Sequence, residues 1–170
     1  MANEVTFEQI SGSLGSLLLL WAAIERQARQ EVARVNDGIL PRSAFGISAV
    51  LNAWETAVVR QHPGQPFRAL LASTLRSQLQ EPLNIRNGLC HGLLGASAEH
   101  HGKPASLMWE INEVRSNITW EELQASFSWL SKVPDALSMI SKSSAERQGN
   151  RMTDNPENRE WWRAEYGIAV

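Results

Sequence analysis

The stretch EPLNIRNGLCHGLLGA, residues 81–96, gathers an arginine, an asparagine, the single cysteine and a histidine (Arg86, Asn87, Cys90, His91) among Gly88, Gly92 and Gly95. Histidine exchanges protons near neutral pH. Arginine carries a planar fork of donors matched to phosphate oxygens. The two together suit a reaction in which a proton moves while negative charge builds on an oxygen cluster, and an asparagine beside them can hydrogen-bond either participant.

Those residues need a helix to hold them. The spacing of apolar residues predicts one over about 82–97, opened by Pro82, whose missing N–H costs nothing in a first turn. On such a helix Asn87 and His91, four apart, stand one above the other, whereas Arg86 and His91, five apart, diverge by about 140°. Gly88, Gly92 and Gly95 fall near the line of His91 and leave a bare groove, with Ile85, Leu89 and Leu93 as the opposite, buried side. Each glycine costs up to about 1 kcal/mol relative to alanine, so something is expected to come close to that face. A second copy of the helix is the natural visitor: a twofold axis would bring Arg86 of one chain toward His91 of the other. Local unwinding at Gly88 is the competing route to the same convergence.

The remaining elements must position this helix. With 170 residues, 43% hydrophobic and 20% charged, the chain has the size and composition of one folded domain. Leu14, Leu17, Leu18, Trp21, Ile24, Ala28, Val32 and Val35 make one face of a long helix over about 7–35. A second pattern covers about 43–60 through Phe45, Ile47, Val50, Leu51, Trp54 and Val58, and a third covers 67–79 through Leu70, Leu71, Leu75 and Leu79. NDGILP and HPGQP break the chain between them. SLMWEINEV alternates Leu107, Trp109 and Ile111 with polar positions, the period of an edge strand or small hairpin. TWEE has capping-box spacing, Thr119 with Glu122, and opens a last helix to about residue 140 with Trp120, Leu123, Phe127, Leu130 and Leu137 inward and Pro134 as a candidate kink. The expected fold is all-α, a bundle of about five helices with a small β insert over residues 1–140, followed by a polar linker and aromatic tail over 141–170.

RNGLCH, Arg86 to His91, resembles the R-x4-6-H motif of the HEPN superfamily in its form with asparagine after the arginine. The order of elements is similar as well: a long first helix with WAAIE, the motif helix, a short strand region, and a final helix opened by TWEEL, across roughly residues 7–140. The resemblance implies a helical homodimer through the face that carries Arg86, His91 and Gly95, and metal-independent endoribonuclease activity in a toxin or phage-defence setting, with a possible antitoxin protein as partner. It assigns Arg86, Asn87 and His91 as site residues. In that chemistry the ribose 2'-OH attacks phosphorus, His91 acts as general acid and base, and Arg86 neutralises the phosphorane oxygens. Asn87 either bonds the phosphate or orients His91; the two stay open.

Other features bound this reading. A formal charge of -2 gives no global attraction to a polyanion, so RNA must be held by a local patch; the same balance keeps a non-catalytic HEPN module, binding a nucleotide or regulatory protein, as the alternative. One cysteine excludes an internal disulfide, and the cytoplasm is the expected compartment. SLGSLLLLWAAI follows Glu4 and Glu8 and ends at Glu25 and Arg26, which reads as a core helix and not as an export signal or membrane anchor. No cofactor or metal is expected, because Glu99, His100 and His101 are adjacent on a loop and do not converge on one ion. Cys90 reads as a small core residue, and Glu25 as a group that could orient Arg86. Trp21, Trp54, Trp109, Trp120 and Trp129 read as core, whereas Trp161 and Trp162 either dock on the bundle or dimer or meet a partner.

Overall fold

Apolar residues at steps of three and four build the helices, and short alternating runs build the sheet. The computed structural model describes residues 5–100, 102–142 and 151–170. In chain order it contains α1 (Phe7–Arg34), α2 (Ile47–Gln61), α3 (Pro66–Gln78), α4 (Gln80–His91), β1 (Leu93–Ser97), β2 (Ser106–Ile111), β3 (Val114–Thr119), α5 (Trp120–Ser141) and α6 (Pro156–Tyr166). The protein is thus mainly helical with a small antiparallel sheet. Among the described residues there are six helices, against the expected five or so, and three strands in place of one or two. By their contacts the elements form two compact units, Met1–Trp21 with Gln80–Ser128 and Ala22–Leu79 with Trp129–Val170.

In the unit that holds α4, the strands lie in the order β1-β2-β3. β2 pairs with β3 in register from Ser106↔Thr119 to Ile111↔Val114. The connection is a two-residue turn with Asn112 at φ 51° and Glu113 at φ 64°, the doubly left-handed geometry that matches strand twist. β1 pairs with β2 from Leu93↔Trp109 to Ser97↔Ser106, with an irregularity between Leu93 and Gly95. Leu107, Trp109 and Ile118 are buried. Thr119 and Glu122 close the expected capping box: Thr119 N–H donates to Glu122 Oε2 at 2.9 Å and Glu122 N–H to Thr119 Oγ1 at 3.2 Å. Ser13, buried on α1, accepts from Trp120 Nε1 at 2.8 Å.

The other unit is built on the buried rows Ile24, Ala28 and Val32 of α1, Val50, Leu51 and Trp54 of α2, Leu71 and Leu75 of α3, and Leu130, Leu137 and Ile140 of α5. Arg68 is fully buried among them. Its Nη1 donates to the carbonyl of Ile140 at 2.8 Å and to that of Lys142, and Arg34 Nη2 donates to the carbonyl of Ser141 at 3.0 Å. Two guanidinium groups therefore satisfy the free carbonyls at the end of α5, where a helix carries partial negative charge. His62 Nε2 lies 3.1 Å from the Ser141 carbonyl and 3.2 Å from Arg68 Nη1. One nitrogen cannot donate to the first and accept from the second, and burial followed by the neighbouring arginines holds the His62 pKa below its ordinary value of 6.5, favouring the neutral ring.

Several expectations change. α2 begins at Ile47 after Gly46, leaving Phe45 exposed; Leu18 and Leu70 are also exposed. α1 passes, by length and composition, as a helix able to cross a membrane, yet its row Leu17, Trp21, Ile24, Ala28 and Val32 is buried. Residues 143–150 of the expected linker, Glu4 and His101 lie outside the described residues. The aromatic tail is not a loose end: α6 is capped by Asn155, whose Oδ1 accepts from Asn158 N–H at 2.8 Å, and ends before the left-handed Gly167. Trp162 is fully buried in the tail's own unit, where Trp129 Nε1 donates to the Tyr166 carbonyl at 2.9 Å.

Candidate active site

The motif helix is shorter than its pattern suggests. α4 ends at His91, and the residues expected to continue it form β1. Gly92 and Gly95 weaken a helix, and an unpaired edge of β2 offers them a ladder instead. The crossover is tight: Gly92 N–H donates to the Gly88 carbonyl at 2.8 Å, and the Gly92 carbonyl accepts from Glu110 N–H at 2.9 Å.

This accounts for the glycines. A Cβ on Gly88 would overlap the indole of Trp109, and one on Gly92 would overlap the carbonyl of Glu110. The visitor that Gly88 and Gly92 admit is therefore β2 of the same chain, and these two residues no longer argue for a second helix in the groove. Gly95 faces open space. Leu93, placed on the buried side by its spacing, is exposed on β1, and Leu89 is buried as expected.

α4 runs unbroken through Gly88, so local unwinding does not bring Arg86 to His91. The two remain about 140° apart on a regular helix. His91 is exposed at the helix end, with no hydrogen-bond partner among the described residues. Asn87 sits one turn below it, half-buried, and its Oδ1 accepts from Arg86 Nη1 at 2.9 Å. Arg86 is half-buried as well, and its Nε is buried without a partner. Asn87 thus tethers the guanidinium, a role outside the two left open by the sequence. Cys90 is exposed, not a core residue; its neighbours at the end of α4 do not enclose it.

Glu25, the expected orienting group for Arg86, instead accepts from Arg29 Nη2 at 2.8 Å and Nε at 3.0 Å. Among the described residues no three His, Cys, Asp or Glu side chains converge as metal ligands. Two groups escaped the sequence reading. Arg68 lies on the inward row with Leu71 and Leu75, and a charged residue there is itself a signal of a buried polar role. Asn84 continues the line of Asn87 and His91 at helical spacing. No protein-family model, curated protein or solved structure matches this chain.

Proposed function

We propose that this protein is a metal-independent endoribonuclease of the HEPN type, acting as a toxin or phage-defence component, whose complete site needs two copies of the chain. The observation that carries the reading is the arrangement on α4: a water-exposed imidazole in line with an asparagine that holds an arginine. His91 takes the proton from the 2'-OH and returns it to the departing 5'-oxygen. Arg86 places its donors on the non-bridging oxygens, and Asn87 limits the swing of Arg86. The products are a 2',3'-cyclic phosphate and a 5'-hydroxyl. Because Arg86 and His91 diverge on one helix, the arginine that serves a given histidine comes from the partner chain.

Mixing variants tests both parts. Arg86→Ala and His91→Ala proteins should each lose about 10²–10⁴-fold in cleavage of single-stranded RNA, in chelator. Mixed together they should regain activity, since one site of the mixed dimer keeps both groups. Variants that stay inactive when mixed refute the shared site, and His91→Ala protein that cuts like wild type refutes the nuclease. The second reading, a module that binds a nucleotide without cutting, is favoured by the net charge of -2 and predicts saturable nucleotide binding with no scission at any protein concentration.

A further inference from the structure

Beside α4, within the same unit, a cleft of about 580 Å³ is lined by Glu81 and Asn84 of α4, Trp109 of β2, Ser116 and Asn117 of β3, and Glu122 of α5. That volume is in the range of small-molecule sites. The polar lining has a definite character: two carboxylates, two carboxamides and the hydroxyls of Ser116 and Ser126, with no cationic side chain among the described residues. A phosphate would be repelled. A neutral, flat group rich in hydrogen donors would not.

The acceptors are fixed in kind. The Thr119 N–H and hydroxyl donate to Glu122 Oε2 at 2.9 and 2.8 Å, and these bonds hold the Glu122 carboxyl below its ordinary pKa, so it is an acceptor and not a donor near neutral pH. Asn84 Oδ1 already accepts from Gln80 Nε2 at 3.1 Å, which leaves its NH2 for a ligand. Trp109 is 9% exposed and contributes an apolar wall.

The cleft also stands in the right place. Asn84, Asn87 and His91 follow one another at intervals of three and four along α4, within about 60° of the same side, and Asn84 lies about 10 Å from His91 along the axis. A strand whose phosphodiester is at His91 reaches the cleft with a base of a neighbouring nucleotide.

We propose that this cleft is a nucleobase subsite that selects bases carrying an exocyclic amino group, and that it sets the sequence preference of cleavage. The link to cleavage rests on the ribonuclease reading; the binding does not. Adenine, cytosine and guanine each offer an amino group to the carboxylates. Uracil offers a carbonyl at the corresponding position and leaves a charged acceptor facing another acceptor.

Titration of the full chain with adenosine, cytidine, guanosine and uridine, followed by amide and indole NMR shifts, tests the binding. The amino-bearing nucleosides should saturate with shifts at Glu81, Asn84, Asn117 and the Trp109 indole, and uridine should bind at least about tenfold more weakly. Glu81→Gln and Asn117→Ala should each shrink that difference. Mapping of cuts in a mixed-sequence RNA should show the same preference, altered in Glu81→Gln protein. Equal binding of all four nucleosides, or none, overturns the subsite even if RNA is cut. Selective nucleoside binding without any cutting upholds the subsite and overturns only the nuclease reading.

Discussion

Gly88→Ala and Gly12→Ala are the same chemical change in two helices, and the structure gives them opposite signs. Alanine in a helix interior is favoured over glycine by about 1 kcal/mol. At Gly12 nothing lies within 4 Å of the new Cβ, so the whole gain should appear as stability. A gain of that size raises the Tm of a chain this long by about 2–4 °C. At Gly88 the added Cβ would lie 2.6 Å from Trp109 Cε2 and closer still to two other indole atoms, where carbon contacts need about 3.5–4.0 Å. Relief requires a displacement of about 1 Å by a buried side chain on β2, a strand paired on both sides. Overpacking of this kind costs about 1–3 kcal/mol. Set against the propensity gain, Gly88→Ala should lose up to about 2 kcal/mol. Thermal and urea unfolding followed by far-ultraviolet circular dichroism measure both variants. Trp109→Leu in the Gly88→Ala background should return part of the loss, a coupling that distant sites do not show. Gly88→Ala with the same rise in Tm as Gly12→Ala would refute the claim that β2 fills this groove.

Three further outcomes follow from local geometry. The His62 pKa is lowered in the folded protein by burial and by Arg68 and Arg34, so its contribution to stability is complete above pH 6.5 and is lost as pH falls through the lower folded value; urea midpoints measured from pH 7 to 5 should fall less steeply for His62→Gln than for wild type, and equal slopes would contradict this. Glu113 holds φ at 64° in the β2–β3 turn, so Glu113→Gly should stabilise by about 1 kcal/mol in the same denaturant assay, against a loss if the turn is not left-handed. Thr119→Ala removes the hydroxyl that accepts from Glu122 N–H and should cost about 1 kcal/mol, seen as a lower Tm.

What was legible in the sequence follows from how local the cause is. The Thr119–Glu122 box, the long α1 and the buried Leu123, Leu130 and Leu137 of α5 depend on residues a few positions apart and formed where their spacing placed them, whereas Trp120 and Phe127 of the same row are only half-buried. The end of α4 depends on a distant strand. Residues 93–97 are compatible with one more helical turn, and only the β2 residues from Ser106 to Trp109, which pair with them, decide for a strand. The same distant partner changed the meaning of the glycines. Read alone, Gly88 and Gly92 signal that something approaches closely; they carry no mark of whether it belongs to the same chain, and Trp109 and Glu110 are the answer. The hairpin turn was hidden for a different reason, since Asn112-Glu113 lacks the glycine that usually announces two left-handed residues. At the candidate site the residue types were legible, but the exposure of His91 at a helix end was not, because the spacing carried the helix on to about residue 97. The partner of Arg86 was not legible either, since a bond to the adjacent Asn87 turns on side-chain reach, although the four-residue spacing of Glu25 and Arg29 already marked those two as a pair. What survives from the spacing argument is the angle alone. A regular α4 keeps one chain's Arg86 and His91 on different sides, and that divergence, without help from the glycines, is the reason to look for the second arginine on another copy of the chain.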